Sequence, residues 1–381
     1  MNKAEIIGYA QRVAEEPGPY VQQWKEEKNV KMIGFLLTDV PEELIHAAGF
    51  LPYGITGGHS RLSLADVHLQ TWACSFVRSS LALALDGKLD FLDGLIIPQT
   101  CDTTRMVLGI WQHASPLPFL QNFRMPRQVE RPSARHFLIG EMARLKASLE
   151  DFSGSEIPEE KLRESIKLYN RNRILLRRLY AFHAKCPGVL NAKELYTLIR
   201  ASMFIPREKL NKLLSSLLKI IEKGMQPAAE DRIRLIISGT LLEPLDILDY
   251  LEEGGAVVVG DDFKNGLRYI NDDADENSMP LEALVDRQLK RMPFAAYDTV
   301  RNKRRFFLAK MAQEKEADGV ILLHLKYCEP ENFDYYDNIK TLREAGLPAM
   351  RIETEFGTTS LGQMRTRVQA FLEMLGGEFY D

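Results

Sequence analysis

Two cysteines stand where a hydrophobic strand should end. The stretches DGLIIPQTCD and ADGVILLHLKYCEP each run from Asp-Gly through an apolar segment to a cysteine followed at once by an acid, Cys101–Asp102 and Cys328–Glu329. In an open parallel sheet, ligands collect beyond the carboxyl ends of the strands, where the next helices begin. Behind Cys101, DTTRMVLGIW offers Asp102, Thr103 or Thr104 as a helix cap. The backbone N–H groups of such a first turn favour a thiolate or an anionic cluster. Cys74, in TWACSFVRSS, lies at or near the start of another amphipathic helix, with Arg78 one turn along. Three thiols could converge from three separated segments. The other reading is that each is a small buried hydrophobe, as free cysteine often is. Spacing alone leaves both open.

If the thiols converge, ligand type narrows the metal. Structural zinc normally takes four closed ligands at short spacings, and no two cysteines here form a CxxC pair. Iron–sulfur clusters accept thiolates from distant segments, and with three of them one iron keeps an exchangeable position. Cys186, in the Pro-Gly turn HAKCPGVL, is away from every expected strand exit and reads as incidental. His46 on a helix and His324 in a strand read as structural, and His113 and His183 have no ligand spacing. GxGxxG after a strand, GxxxxGK[ST], GxSxG and HExxH are all absent, which argues against a P-loop ATPase, an NAD enzyme of the usual fingerprint, a serine hydrolase elbow and a zincin.

The elements that must position these residues follow from periodicity. KMIGFLLT, LPYGIT and LDGLIIPQT read as strands alternating with helices at PEELIHAAG and around CSFVRSSLALAL. Pro41 with Glu42 and Glu43 suits a helix start, and Gly49 a stop. From about Arg131 long amphipathic segments take over. The α/β grammar resumes after MQPAAEDR with RLIISGT, AVVVGDD, GVILLHLKYC and PAMRIE as strands. The expected fold class is therefore α/β, with two related open-sheet domains of Rossmann or flavodoxin-like type. Their spans are 1–130, carrying Cys74 and Cys101, and 229–381, carrying Cys328, with a helical connector at 131–228. Two pairs of segments look repeated: the Asp-Gly-strand-Cys units, and IHAAGFLPYGI with LREAGLPAMRI.

Composition agrees with this frame and removes other classes. The 381 residues exceed a typical single core, and 45% hydrophobic with 27% charged residues is ordinary for a globular protein. Forty-nine basic against 53 acidic residues, net −4, argue against a nucleic-acid protein with a bulk basic surface. The cluster RNRILLRRL recurs at helical spacing and reads as a solvated helix face. No transmembrane span and no basic, apolar leader is evident, so a cytoplasmic protein with cysteines as thiols or ligands is expected.

These residues resemble a known family, the iron–sulfur subunits of 2-hydroxyacyl-CoA dehydratases and ATP-dependent benzoyl-CoA reductases, of the smaller subunit type. The resemblance spans nearly the whole chain and is carried by IGFLLTDVPEELIHAAGFLPYGI, LALALDGKLDFLDGLIIPQTCDTTR, GVILLHLKYCEPENFDYYDNIKTLREAGLPAMRIETE and GQMRTRVQAFLEML. It implies that Cys74, Cys101 and Cys328 ligate one 4Fe-4S cluster with an exchangeable iron. It further implies a related cluster-bearing partner subunit, an acyl-CoA substrate, and a separate ATP-hydrolysing iron–sulfur activator that injects one electron. In the dehydratases that electron makes a ketyl radical which expels the 2-hydroxyl; in the reductases it enters an aromatic thioester. Within the cleft so implied, Thr38 could bond a substrate oxygen, Glu43 could act as a base, and Arg105 could steady a cluster or a CoA phosphate. A cluster- or ligand-binding protein without catalysis, or a zinc-stabilised cleft, are the rival classes.

Overall fold

A computed structural model describes the chain apart from residues 37, 59, 225–231, 298–302, 358–359 and 378–381. Two four-stranded parallel sheets form the frame. The first comprises β1 (Met32–Leu36), β2 (Leu51–Ile55), β3 (Gly94–Gln99) and β4 (Phe119–Arg124), in the order β2-β1-β3-β4. The second comprises β5 (Ile233–Ser238), β6 (Ala256–Asp261), β7 (Gly319–Leu325) and β8 (Ala349–Thr354), in the order β6-β5-β7-β8. The chain order thus repeats, and the fold is the expected pair of related open sheets. Strands β1 and β7 are buried along their whole length, which is why they read as continuous apolar runs: helices cover both faces.

The topology separates the two sequence repeats. The Asp-Gly-strand-Cys units fall on β3 and β7, equivalent strands of the two sheets. The helix–strand segments fall on β2 and β8, which occupy opposite edges. Their likeness has a local cause, since in each a helix stops on a glycine at positive φ, Gly49 (φ 83°) and Gly346 (φ 71°), before the next strand.

The helices are α1 (Lys3–Glu15), α2 (Pro17–Lys28), α3 (Glu42–Ala47), α4 (Ser63–Asp66), α5 (Ser75–Leu85), α6 (Asp102–Ala114), α7 (Pro132–Ser153) and α8 (Glu159–Lys185). They continue with α9 (Ala192–Ala201), α10 (Arg207–Ile221), α11 (Asp246–Glu253), α12 (Leu267–Ile270), α13 (Pro280–Lys290), α14 (Lys303–Glu314), α15 (Glu329–Glu344) and α16 (Leu361–Gly376). The expected helical segment is α7 to α10, but packing crosses its sequence boundaries. Helix α1 lies on α9 and α10, and α13 from the last third of the chain lies on α7 and α8. Leu284 and Val285 of α13 join Phe35, Ile96, Phe123, Leu138 and Met142 in one buried cluster. Helices α1 and α2 and the edge strand β4 lie outside the elements expected from the sequence. In β4 only Phe119 and Phe123 are buried, around polar Gln121 and Asn122, so no apolar run announces it. Among the described residues no helix is long and apolar enough to cross a membrane.

Buried charge pairs join the layers. Arg173 of α8 donates to Glu43 of α3 at 2.7 Å, and Arg207 of α10 to Glu42 at 2.5 Å. Tyr180 and Tyr196 both donate to Asp261 at the end of β6, at 2.7 and 2.5 Å. Lys264, fully buried after β6, pairs with Asp39 after β1, tying one sheet to the other. Burial alone would raise the Asp39 carboxyl, but the charges of Lys264 and Arg291 outweigh it and hold it below the usual range.

Removing one member of such a pair strands the other in the interior. Lys264→Ala is expected to cost about 3–5 kcal/mol, read as a lowered urea midpoint with little change in slope. The Glu43 carboxyl sets an acid limb. Burial would raise it, yet Arg173 and Arg287 hold it down from 4.5 to about 2. Its stabilising contribution is full above pH 4.5 and is lost as pH falls towards about 2. Glu43→Gln should flatten that part of the stability–pH curve; an unchanged acid limb would show the pair to be inert.

Candidate metal centre

All three cysteines singled out in the sequence occupy the same structural position: each is the N-cap of a helix. Cys74 caps α5, Cys101 caps α6 and Cys328 caps α15. For Cys101 and Cys328 the cause is the parallel sheet, because β3 and β7 end a few residues earlier and the chain turns directly into a covering helix. The first turn of each helix leaves backbone N–H groups without helical partners, and a cap side chain faces them. At Cys101 the arrangement is reciprocal. The Thr104 hydroxyl accepts from the N–H of Cys101 at 3.1 Å and of Thr100 at 3.0 Å, and lies 3.5 Å from the Cys101 sulfur. At Cys328 the preceding residue, Tyr327, takes the left-handed conformation (φ 64°). This turn is costly for a non-glycine residue and swings the thiol to the head of α15.

The thiols sense one another. Cys74 and Cys328 are buried and Cys101 is half-buried. Burial pushes the Cys74 thiol up to about 12, and the nearby charge of Cys101 adds to this against the N–H groups of Val77 and Phe76. Burial, then the charges of Glu331 and of Cys74, push Cys328 well above the ordinary thiol range. At Cys74 and Cys328 burial and a neighbouring charge therefore both favour the protonated thiol, until a cation offsets the repulsion. A bound metal does this, deprotonating its thiol ligands outright. Among the described residues no three His, Cys, Asp or Glu side chains gather as a single ion requires. Cysteine thiolates are the donors that iron–sulfur clusters take, so by donor type the three capping thiols fit such a group.

Around Cys74 and Cys328 lie polar supports from distant parts of the chain. On α5, Arg78 donates to Asp66 at 2.8 Å and to Glu355 at 3.4 Å, and the Ser75 hydroxyl accepts from the N–H of Phe356 at 3.0 Å. The head of α5 is thereby fastened to the exit of β8, in the other sheet. Around Cys328, the Thr240 hydroxyl lies 3.2 Å from the sulfur and donates to Glu331 at 3.0 Å. Arg304 spans Glu331 at 2.6 Å, Asp262 at 3.0 Å and Ser238 at 3.2 Å.

The other expected residues lie differently. Thr38 is buried after β1; its hydroxyl donates to the Lys264 carbonyl at 2.9 Å, and its own carbonyl accepts from Arg291 at 2.6 Å. Glu43 is buried in its pair with Arg173, held ionised and turned into the helical layer. Arg105 is on the exposed side of α6. Cys186 is buried at the end of α8, away from the strand exits. His46 bonds Ser165 at 3.0 Å and Glu208 at 3.3 Å, a structural pairing. A cavity of about 1270 Å³, lined by Lys25, Tyr53, Gly57, Phe91 and Arg200 among others, includes none of the cysteines.

Burial orders the reactivity of the metal-free thiols. At mildly alkaline pH a small alkylating reagent should modify half-buried Cys101 before Cys74 and Cys328, as peptide mapping of a time course will show. Faster labelling of Cys74 than of Cys101 would contradict the burial and charge assignments. Arg304→Met, which leaves Asp262 and Glu331 buried together without their counter-charge, should cost about 3–5 kcal/mol in urea unfolding.

The family model for the 2-hydroxyglutaryl-CoA dehydratase D-component matches residues 37–375, a span that includes all three cysteines. The chain is 29% identical over 364 residues to the (R)-phenyllactyl-CoA dehydratase beta subunit of Clostridium sporogenes, covering 95% of this chain and 96% of that one. It is 30% identical over 380 residues to the beta subunit of lactoyl-CoA dehydratase from Anaerotignum propionicum, covering 98% and 100%. It is 30% identical over 338 residues to a subunit of the benzoyl-CoA reductase of Thauera aromatica, covering 87% of each. With two parallel sheets and a match over nearly its whole length, the chain belongs to the 2-hydroxyglutaryl-CoA dehydratase D-component family.

Proposed function

We propose that the chain is the cluster-bearing smaller subunit of a 2-hydroxyacyl-CoA dehydratase, a lyase that removes water from a 2-hydroxyacyl thioester. The observation that carries this reading is the placement of Cys74, Cys101 and Cys328 at three helix N-termini, close enough for their charges to interact. These three thiolates would hold a 4Fe-4S cluster. Bound there, it would supply a low-potential electron and an iron with an exchangeable position to polarise the thioester carbonyl.

The chain's own residues do the rest by positioning. The first-turn N–H groups of α5, α6 and α15 place positive dipole ends around the sulfurs and favour their anionic form. Arg78, through Asp66 and Glu355, keeps the head of α5 against the second sheet. Arg304, through Glu331 and Asp262, holds the support of Cys328. The hydroxyl of Thr38 and the carboxylate of Glu43 are engaged within the fold, so proton transfer at the acyl chain falls to groups of a related companion subunit. The electron comes from a separate ATP-hydrolysing activator.

A second reading, a subunit of an aromatic acyl-CoA reductase, is supported by the 30% identity to the benzoyl-CoA reductase subunit. It would use the same thiols. Oxygen-free purification followed by iron, zinc and sulfide analysis and EPR comes first, beside Cys101→Ser. About four irons and four sulfides per chain, lost in the variant, are expected. Zinc, or no metal after anaerobic reconstitution, overturns the redox reading. Turnover of the assembled enzyme with 2-hydroxyacyl-CoA and with benzoyl-CoA then separates the two activities by their products, enoyl-CoA or a reduced ring.

A further inference from the structure

Thr240 sits in Ser238–Gly239–Thr240, the exit of β5, and only glycine fits before it, because a Cβ at Gly239 would strike the carbonyl oxygen of Leu323 in β7. The Gly239 N–H donates to Asp262 at 3.0 Å, and the Thr240 carbonyl accepts from the N–H of Lys264 at 3.0 Å. The backbone is therefore pinned on both sides, and the buried hydroxyl is delivered between the sulfur of Cys328 and the carboxylate of Glu331, at 3.2 and 3.0 Å.

A hydroxyl has one proton and here faces two acceptors of unequal need. Glu331 already receives the Arg304 guanidinium at 2.6 Å. While Cys328 is a thiol, its S–H can donate to the hydroxyl oxygen, and the hydroxyl proton goes to Glu331. Once the sulfur is an anion it can only accept, and Glu331, kept by Arg304, can release the Thr240 proton to it. Thr104 is placed differently: its hydroxyl accepts two backbone N–H groups and donates to the Cys101 carbonyl at 3.1 Å, with the Cys101 sulfur further off at 3.5 Å.

We propose that Thr240 is a positioning residue whose hydroxyl turns from Glu331 to the Cys328 sulfur when that sulfur becomes a metal ligand, orienting the thiolate and withdrawing charge from it. Arg304 and Glu331 act through Thr240 by holding the carboxylate in reach. Hydrogen bonds to cluster sulfurs raise the reduction potential, so the side chain would set how readily the centre accepts an electron. This inference rests on the cluster reading above.

The test compares Thr240→Val, which keeps the shape and removes the hydroxyl, with Thr240→Ser, which restores it. In the metal-free protein the infrared S–H stretch of Cys328, assigned with Cys328→Ser, should shift in the valine variant and return in the serine variant. In the anaerobically reconstituted protein the midpoint potential should fall and the reduced EPR spectrum change in Thr240→Val, again with rescue by serine. Wild-type and valine proteins with the same S–H band and the same potential would overturn the inference. A wild-type chain that takes up no cluster would overturn the functional reading instead, and the infrared comparison would then decide whether Thr240 contacts the sulfur. Unfolding midpoints of both variants guard against loss of fold, since a general defect would not be rescued selectively at the Cys328 band.

Discussion

The whole arrangement depends on the unsatisfied first turn of a helix that follows a parallel strand. Such a turn presents N–H groups that need an acceptor and a partial positive charge that favours an anion. Serine, threonine, aspartate or asparagine usually meets this need. Here cysteine occupies that position three times, at the heads of α5, α6 and α15. A thiol is a weak acceptor, so the choice costs helix stability unless the sulfur becomes a thiolate. At Cys74 and Cys328 burial and a neighbouring charge oppose that ionisation. A cationic centre between the sulfurs, as proposed above, would reconcile the two tendencies.

Bringing three helix heads together from two sheets requires that the sheets be fixed relative to each other. Hydrophobic packing is poorly directional, and the fold adds buried charge pairs with definite geometry. Lys264 meets Asp39 across the sheets, Arg173 and Arg207 draw the helical layer onto the adjacent acids Glu43 and Glu42, and Asp261 gathers two tyrosines. Each pair forfeits hydration and in return excludes neighbouring registers, since a shifted interface would leave a charge without its partner. Rigidity of this kind would suit the redox centre proposed above.

The same logic explains why the acids nearest the strand exit do not look like acid–base catalysts. Glu42 and Glu43 begin α3 in the first sheet and would be exposed were the helical layer absent. The layer covers them and supplies arginines, turning a pair of N-terminal acids into structural anchors. What remains near the thiols is a support of hydroxyl, carboxylate and guanidinium, suited to orienting sulfur and less to moving protons on an acyl chain.

Local pattern was enough to read seven of the eight strands, most helices, the repeated sheet and the strand-exit positions of Cys101 and Cys328, because apolar periodicity and turn residues act over a few neighbours. Cys74 was legible as a helix-start cysteine for the same reason. The edge strand β4 was not, since an edge needs few apolar residues, and neither was the crossing of α13 onto α7 and α8. The partners of the site were hidden for a different reason. Thr240, Arg304 and Glu331 are ordinary residue types scattered over some ninety positions, and Arg173 lies 130 residues from Glu43. Whether a threonine meets a sulfur, or an acid meets an arginine or a solvent-filled cleft, is decided by which surfaces pack together. Short-range sequence pattern carries the candidate ligands, and long-range packing chooses what surrounds them.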